Sequence, residues 1–477
     1  MSPCAAALRL GLALALAALA ACKTVGPDYT GPPPSAVVHA PAAQGPFASA
    51  SGQGLSQAQP PDHWWRLYDD AILDGLVQQA LTANTDLRVA AANLARAQAL
   101  LAQATAARGI TTALSAGVQY GHPSGEAFLQ SQPVPSGLEY TGAFNAAYQL
   151  DLFGRIRRTI EAAGADVEAA AAARDAARVT VAAETARAYA DACGAGLRLA
   201  AAQRSLDLQR RAFALTQRLI AAGRGSALDL TRSRAQVEQS RADIPALAAA
   251  RQGALFRLAV LTGRPPADIP PGVAACAAPP RLTQPIPVGD GAALLRRRPD
   301  VRQAERQLAA ATARIGVATA DLYPSISLGA SVGSTGLVSD FLAPATNAFG
   351  VGPLISWNFP NRSLARAQIA AASAGAAGAL ARFDGVVLTG LREAETALDA
   401  YSHDLQRNAS LRAGRAEAAL ALDQASRLRA AGREGALAVL DAQRTLATAD
   451  AALAASEAQL STDQIAIFLA LGGGWTP

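Results

Sequence analysis

Four segments of the chain alternate between apolar residues and polar or small residues, which predicts β-strands with one apolar face. Leu114, Phe144 and Val332 are typical apolar positions, and their neighbours in sequence are Ala, Ser, Asn or Gly. Each segment is long enough to supply the ~9 to 11 residues that a tilted strand needs to cross a bilayer, although a soluble sandwich would show the same alternation. The segments are approximately 110–121, 138–152, 325–335 and 347–359.

Long helices are predicted after each pair of strands. Residues 155–222 contain no proline and few glycines, which predicts one unbroken helix of ~100 Å at ~1.5 Å per residue. Shorter helices are predicted near 86–108 and 228–262. A stripe of apolar residues seven apart predicts coiled-coil packing rather than an ordinary amphipathic helix. In the last helix this stripe is Val439, Leu446, Leu453, Leu460 and Ile467.

The N-terminus has the layout of a secretory signal. Arg9 is followed by a Leu- and Ala-rich run and then by small residues. The end of this segment, Leu-Ala-Ala before Cys22, resembles a bacterial lipoprotein signal, in which the cysteine is acylated and holds the protein to a membrane. Lys23, rather than aspartate, favours the outer membrane. An ordinary signal with a chance cysteine is the alternative. The Pro-, Ala- and Ser-rich stretch that follows is expected to run extended over the surface.

The helices and strands occur in two similar copies. Asp-Leu-Arg at 86–88 returns as Asp-Val-Arg at 300–302, an offset of 214. Ala-Gly-Arg at 222–224 returns at 431–433, an offset of 209. Each copy is therefore predicted to contain a helix, two strands, a long helix, a turn and a helix. The predicted divisions are a signal segment (1–21), a lipidated tether (22–61), a first repeat (62–270, turn near 223–228) and a second repeat (271–477, turn near 432–437).

Four strands are too few to close a barrel. In lipid, the open edges of such a sheet would leave backbone donors and acceptors unsatisfied at a large cost in free energy. If the strands cross a membrane, identical chains must therefore assemble. Two chains would supply eight strands with little lumen, and three would supply twelve with room for a pore. Strand geometry alone leaves both open.

Composition and spacing exclude several classes of function. The 42 Lys and Arg residues are spread among 37 Asp and Glu residues, without a basic run flanked by aromatics, so nucleic-acid binding is not expected. Lys23 is the only lysine, which excludes a GxxxxGK phosphate loop. A GxSxG match at 329–333 lies inside an alternating strand. No catalytic or metal-binding spacing is found, so we expect no enzyme and no cofactor apart from the lipid on Cys22.

Two of the four cysteines remain after removal of the signal and acylation of Cys22. Cys193 and Cys276 lie at similar predicted distances from the turn near Gly223. A disulfide between them is sterically reasonable in an oxidising compartment. Two unpaired buried thiols are the alternative.

Several motifs are spread over the mature chain: Val25-Gly26-Pro27-Asp28-Tyr29, Trp64-Trp65, Tyr148-Gln149-Leu150-Asp151, Leu152-Phe153-Gly154-Arg155, Arg298-Pro299-Asp300-Val301, Leu322-Tyr323-Pro324 and the two turns. Together they resemble the TolC-like outer membrane factors, specifically the OprM-like, NodT-type lipoprotein branch. The resemblance implies a mainly helical protein with a membrane β-barrel: a homotrimer in which a twelve-strand barrel continues into a twelve-helix periplasmic tunnel. It also implies an outer-membrane location and passive efflux of small compounds, with a periplasmic adaptor and an inner-membrane transporter as partners.

The resemblance further implies a gate at the periplasmic end of the tunnel. Asp441 matches one aspartate of the family's carboxylate ring, whereas Ala438 occupies the position of the second. Asp229 matches the acidic position after the first turn, and Arg429 and Arg433 lie close enough in sequence to reach it from the second turn. Adaptor docking is expected at the turns, at Gly223, Ser226, Leu228, Gly432 and Leu437.

Two other functions are compatible with these patterns. A channel of the same architecture could serve a type I protein secretion system instead of a drug pump. Alternatively, the chain could be a periplasmic scaffold lipoprotein, in which tethered coiled coils carry a soluble sheet that binds partners.

Overall fold

The computed structural model describes residues 24–31, 37–52, 54–122, 124, 136–270, 272–357 and 362–473. The predicted signal, Cys22 and the last two residues of the fourth predicted strand lie outside these ranges. The chain divides into two compact units. The first comprises Met1–Pro33, Leu94–Ala170 and Ala304–Phe383, and the second comprises Pro34–Asn93, Ala171–Gln303 and Asp384–Pro477.

Long helices account for most of the regular structure. The α-helices are α1 (Pro41–Gln44), α2 (Ala71–Ala83), α3 (Thr85–Ala106), α4 (Arg155–Ala221), α5 (Ala227–Leu261), α6 (Gly291–Arg297), α7 (Pro299–Ala320), α8 (Arg362–Ala430) and α9 (Ala436–Ala470). The strands are β1 (Leu55–Ser56), β2 (Thr111–Gly121), β3 (Gly137–Leu150), β4 (Ile286–Pro287), β5 (Ser325–Leu337) and β6 (Asn347–Ser356). Helices α3, α4 and α5 begin and end within two residues of the predicted bounds. Helices α2 and α6 were not predicted.

The first unit contains a four-stranded antiparallel sheet in the order β2-β3-β5-β6. Its register places Leu114 opposite Phe144, Phe144 opposite Val332, and Val332 opposite Phe349. Because directly opposed residues lie on the same face of a sheet, the apolar positions of all four strands share one face. These four side chains are 45 to 88% exposed in one chain. The sheet therefore has an apolar face that is exposed at these four positions.

The second unit has an aromatic core. Trp64 and Trp65 are fully buried, and Trp64 stacks on Phe468 of α9 with ring centroids 4.7 Å apart. The Trp65 indole donates a 2.8 Å hydrogen bond to Asp74, which satisfies its only polar group. The pair thus joins the start of the first repeat to the last helix.

The prediction of an extended surface tether is wrong for its later part. Phe47 is 6% exposed and belongs to the core of the second unit. The short strand β1 pairs in parallel with β4. Glu395 also accepts hydrogen bonds from the backbone N–H groups of Ala48 and Ser49. A proline-rich composition disfavours helices and central strands, but it does not prevent single apolar residues from packing against a neighbouring core.

The apolar stripe of α9 faces inward. Val439, Leu460 and Ile467 are buried, and the intervening Leu446 and Leu453 are half-buried. A spacing of seven residues returns each side chain to nearly the same side of a helix, so one stripe can follow a neighbouring helix along its length.

One described helix, α5, has a stretch apolar and long enough to cross a bilayer. Within that stretch, Arg257 donates a 2.6 Å hydrogen bond to Asp191 of α4. Leu255 and Leu258 are buried. Part of the apolar stretch is therefore buried and a charged residue within it is paired with α4, so composition alone does not identify a spanning helix.

Candidate functional site

The N-terminal strap, residues 24–29, is fixed to the first unit by Arg158. This guanidinium donates hydrogen bonds to the carbonyl oxygens of Val25 and Gly26 at 3.1 and 3.2 Å and to Asp28 at 2.6 Å. Its side chain is only 3% exposed. Burial lowers the pKa of Arg158, but Glu161 and Asp28 outweigh that effect, so its pKa is raised and the side chain stays charged.

The strap also needs a glycine. Gly26 has φ +86°, and a Cβ there would lie 2.4 Å from the backbone of Gly316. Only glycine adopts this conformation without strain and permits this approach. The Val-Gly-Pro-Asp-Tyr motif, which begins three residues after Cys22, thus holds the chain against the first unit.

Both helical turns end their first helix in the same way. Gly223 has φ +72°, and Gly432 has φ +71°. In the first turn, Arg224 N donates to Leu219 O and Gly223 N donates to Ile220 O. The second turn has the equivalent pair of hydrogen bonds after α8. These are Schellman motifs, in which a left-handed residue satisfies the last helical carbonyls.

The turns differ in how the next helix begins. Ser226 caps α5 by accepting from Asp229 N at 3.2 Å, and the Asp229 carboxylate bonds back to Ser226, which completes a capping box. Helix α9 begins after Gly435, which provides no side-chain cap. Leu228 and Leu437 occupy equivalent positions after the two turns, and both are exposed, at 56 and 57%.

The structure does not bring the predicted gate charges together within one chain. Asp229 is engaged by Ser226, and among the described residues it forms no ion pair with Arg429 or Arg433. Asp441 forms an ion pair with Arg444 of the same helix at 2.6 Å. In one chain, the aspartate that matches the family's carboxylate ring is therefore paired with a neighbouring arginine.

Cys193 and Cys276 form a disulfide, with their Cα atoms 4.9 Å apart. The bond joins α4 to the segment that follows α5 and closes a sequence separation of 83 residues. It therefore ties the middle of α4 to the chain beyond the end of α5. Position 402, which corresponds to Cys193 in the second repeat, is a serine.

Each repeat contains a side chain that holds the end of its last helix. Asn84 donates from its amide to Leu261 O at 3.1 Å and accepts from Asp86 N at 2.8 Å. In the second repeat, Arg298 donates to Ala470 O at 2.8 Å. Leu261 and Ala470 are separated by the offset of 209, so the two contacts are equivalent. We refer to each as a helix clasp.

The second clasp carries a charge and requires carboxylates. Arg298 also contacts Asp300 at 2.7 Å and Glu393 at 2.9 Å. Burial lowers the pKa of Arg298, but the two carboxylates outweigh it and raise the pKa above its ordinary value. The Arg-Pro-Asp motif of the sequence therefore supplies both the cation and one of its partners.

The second hairpin also contains a pair of acidic residues. Asp463 on α9 is 8% exposed and accepts a 2.8 Å hydrogen bond from Gln459. Burial raises the pKa of Asp463 to about 6; Gln459 opposes that rise and the nearby Asp404 carboxyl adds to it. Arg407 lies 3.8 Å from Asp404. The positions that correspond to the acids in the first repeat are alanines.

Within the described ranges, no group of three or more His, Cys, Asp or Glu residues is arranged to hold a metal ion. The features with clear structural roles are instead a sheet with an uncovered apolar face, two capped helical turns and a fixed N-terminal strap.

Comparison with known proteins identifies the class to which this arrangement belongs. The family description "Outer membrane efflux protein" matches residues 76–264 and 292–473, one span for each repeat. The chain belongs to the outer membrane efflux protein family. The TolC-like resemblance is thereby confirmed.

The relatives of this efflux protein cover nearly its whole length. It is 31% identical over 467 residues to Nodulation protein T of Rhizobium leguminosarum bv. trifolii, covering 95% of each chain. It is 31% identical over 436 residues to Outer membrane protein OprJ of Pseudomonas aeruginosa, covering 90% of each. Among solved structures, the outer-membrane channel OprN matches with a TM-score of 0.87 and 36% identity, covering 95% of this chain and 100% of OprN.

Several of the residues that organise the efflux protein were missed by sequence reasoning. Arg158, Asn84 and Asp463 carry no local signal, because each acts on residues distant in sequence. Arg298 belongs to a motif that was noticed, but its contact with Ala470, 172 residues away, was not foreseen.

Proposed function

We propose that the chain is the outer membrane channel of a tripartite efflux pump. It acts as a passive exit duct for drugs and other small compounds, which an inner-membrane transporter delivers through a periplasmic adaptor. One observation carries the proposal: a chain of the efflux family has a four-stranded sheet with an exposed apolar face. That face is suited to lipid, and the opposite face, with small and polar residues, is suited to an aqueous lumen.

The proposal includes a homotrimer. Strands β2 and β6 are the free edges of the sheet in one chain, and free edges are not tolerated in lipid. Three chains would close a twelve-strand barrel with room for a pore. Helix α3 supports assembly, because none of its residues is buried in one chain and its Val89 and Leu100 are 60 and 50% exposed. A neighbouring chain would cover them as part of a twelve-helix tunnel.

A lipid on Cys22 completes the proposed attachment to the membrane. The strap that Arg158 holds begins two residues later, so acyl chains on Cys22 would be restrained close to the first unit. We propose that this lipid supplements the strands rather than serving as the only anchor.

The gate and the docking surface are proposed at the helical turns. Asp229 could meet Arg429 or Arg433 of a neighbouring chain, while Asp441 and Arg444 line the narrow end. The exposed Leu228 and Leu437 are equivalent apolar residues beside the turns, and we propose that adaptor hairpins dock there.

Two adjacent residues of β5 provide a matched test of the channel. Val332 lies on the apolar face and Ser331 on the opposite face. We expect Val332→Asp to abolish the heat-modifiable, detergent-extracted trimer and Ser331→Asp to retain it, since a charge costs more in lipid than in a lumen. If removal of the lipid on Cys22 alone releases the wild-type protein from the membrane, the channel proposal is contradicted and a periplasmic scaffold is favoured.

A deletion strain tests the transported class. Loss of the chain should increase susceptibility to chemically different antibiotics. The wild-type protein and Ser331→Asp should restore resistance, but Val332→Asp should not. Unchanged susceptibility together with failure to export a protein would favour type I secretion instead.

The gate is tested by conductance in planar bilayers. Asp229→Ala and Arg429→Ala should each increase the current if the two side chains hold the pore closed between chains. Arg427→Ala is the control, because Arg427 has an ion-pair partner in its own helix, Asp423, at 2.9 Å. Unchanged conductance in both test variants would show that neither Asp229 nor Arg429 belongs to the gate.

A further inference from the structure

The loop between β5 and β6 has an unusual conformation. It consists of two short 3-10 turns, Val338–Asp340 and Pro344–Thr346. Between them, Leu342 has φ +58°, a left-handed conformation that residues other than glycine seldom adopt. A conformation of this kind persists when surrounding contacts impose it. The contacts of this loop therefore indicate what it is built to do.

A tyrosine hydroxyl from β3 holds the loop. Tyr140 accepts a hydrogen bond from Leu342 N at 2.8 Å and contacts Ser334 at 2.7 Å and Thr346 at 2.9 Å. The hydroxyl oxygens of Ser334 and Thr346 are also 2.8 Å apart, and the Thr346 hydroxyl donates to Ala343 O at 2.8 Å. Each polar side chain of this cluster thus has a partner inside the protein.

The cluster lies on the apolar face of the sheet. Tyr140 is four residues from Phe144 along β3 and therefore lies on the same face, opposite Gly336 of β5. A Cβ at Gly336 would lie 2.6 Å from Thr346, so the absence of a side chain there allows the loop to fold onto this face. The Phe341 ring packs on Tyr140 with ring centroids 4.8 Å apart.

Three apolar side chains of the loop are nevertheless exposed. Val338, Phe341 and Leu342 are 44, 63 and 61% exposed. Val338 directly follows Leu337, the partner of Glu139, so it lies at the level of Leu138, which is 54% exposed on the same face. The loop thus extends the apolar face beyond the ends of the strands.

We propose that the side chains of Val338, Phe341 and Leu342 form an interfacial anchor that inserts into the outer leaflet of the outer membrane, at the boundary between headgroups and acyl chains. The proposal rests on the channel function, because it takes the apolar face to be lipid-facing. Continuity with that face identifies lipid as the occupant. The internally satisfied polar cluster suits a site from which water is excluded. The contact with β3 directs the loop toward the middle of the sheet, away from the β6 edge where another chain would pair.

The test measures depth at single labelled positions. Phe341→Cys, Val351→Cys and Ser339→Cys would each carry an environment-sensitive fluorophore in the full-length trimer. The trimers would be reconstituted in vesicles of phosphatidylcholine and phosphatidylglycerol with doxyl groups either shallow or deep in the acyl chains. Iodide serves as the aqueous quencher. Val351 lies on the apolar face in mid-strand and is 75% exposed, whereas Ser339 is a polar residue of the same loop.

We expect the shallow doxyl lipid to quench position 341 more than the deep one, and iodide to quench it several-fold less than position 339. Position 351 should be quenched most by the deep lipid. If position 351 responds to lipid but position 341 responds to iodide like position 339, the anchor is contradicted and the channel stands. Protection of position 341 from both quenchers would place it against another chain and also contradict the anchor. If lipid fails to quench position 351, the channel assignment itself fails.

Tyr140→Phe tests the positioning role of the hydroxyl. This variant keeps the ring beneath Phe341 but leaves Leu342 N without its acceptor. We expect iodide quenching at position 341 to rise toward that at position 339, while position 351 stays unchanged. Unchanged quenching at position 341 would show that Tyr140 does not position the anchor.

Discussion

The two repeats fasten the end of their last helix at equivalent positions with different chemistry. In the first repeat the clasp is the neutral Asn84, which bonds to Leu261 O. In the second it is Arg298, which bonds to Ala470 O and is balanced by Asp300 and Glu393. The backbone plan of the repeats is therefore shared, whereas the side chains that stabilise it have diverged.

The same contrast continues along the hairpins. The first hairpin has a disulfide and, at its turn, a capping box. The second has neither among its described residues, but Arg412 and Arg415 of α8 form ion pairs with Glu457 and Asp450 of α9 at 2.7 and 2.8 Å. The first hairpin is thus constrained covalently and at its turn in addition to one interhelix ion pair, whereas the second has two such pairs among its described residues. Its stability should respond more strongly to pH and salt.

The largest expected effect comes from removing the disulfide. Cys193→Ser with Cys276→Ser should lower the free energy of unfolding by about 4 kcal/mol, because the closed loop is long. Thermal unfolding of the detergent-solubilised trimer, followed by far-UV circular dichroism, measures the change. Reduction of the wild-type protein should produce the same shift, and the double variant should not respond to reductant. A midpoint that is unchanged by either treatment would contradict a stabilising role.

Loss of the two helix clasps should lower the free energy of unfolding by different amounts. Arg298→Ala leaves two carboxylates without their cation and is expected to cost about 3 kcal/mol. Asn84→Ala loses neutral hydrogen bonds and should cost about 1 kcal/mol. Amide hydrogen exchange near the ends of α9 and α5 measures each effect locally. Equal costs would mean that the charge of the second clasp has no energetic consequence.

The acidic pair predicts a pH dependence in the second hairpin that has no counterpart at the equivalent alanines of the first. The folded-state pKa of Asp463 is raised to about 6, so its contribution to stability is present near pH 4 and decreases as the pH rises through 6. Asp463→Ala makes the site resemble the first repeat. It should stabilise the hairpin by about 1 kcal/mol at pH 7.5, allowing for partial solvent screening, and should lose that advantage near pH 4. A pH-independent difference between variant and wild type would contradict the shifted pKa.

The turns should show the smallest effect. Ser226→Ala removes the cap of α5 and should cost about 1 kcal/mol. The double substitution Gly435→Ser with Ala438→Asp builds the same capping box at α9 and should raise the free energy of unfolding by about 0.5 kcal/mol. Hydrogen exchange of the first-turn amides of each helix would detect both changes. The comparison would be weakened if the added box left exchange at α9 unaltered.

Much of the backbone was predictable because its signals are local. Strand alternation places side chains on alternate faces wherever the strand pairs, and Gly223 and Gly432 mark helix ends because they favour the left-handed conformation. The offsets of the two repeats are also read directly from the chain. For the gate, the matched motif pointed to Asp229, but it did not show that Ser226, three residues away, donates a hydrogen bond to that carboxylate.

The order and length of the strands and long helices, the apolar side of each strand and the family all follow from short-range patterns in the chain. Which distant groups meet depends on the tertiary structure. In that structure the apolar sides of the four strands form one face, Phe47 is buried, and Arg298 contacts the end of α9. The 338–342 segment also folds over Tyr140. Such contacts join residues far apart in the chain, and their free energies depend on burial and geometry that no local pattern encodes.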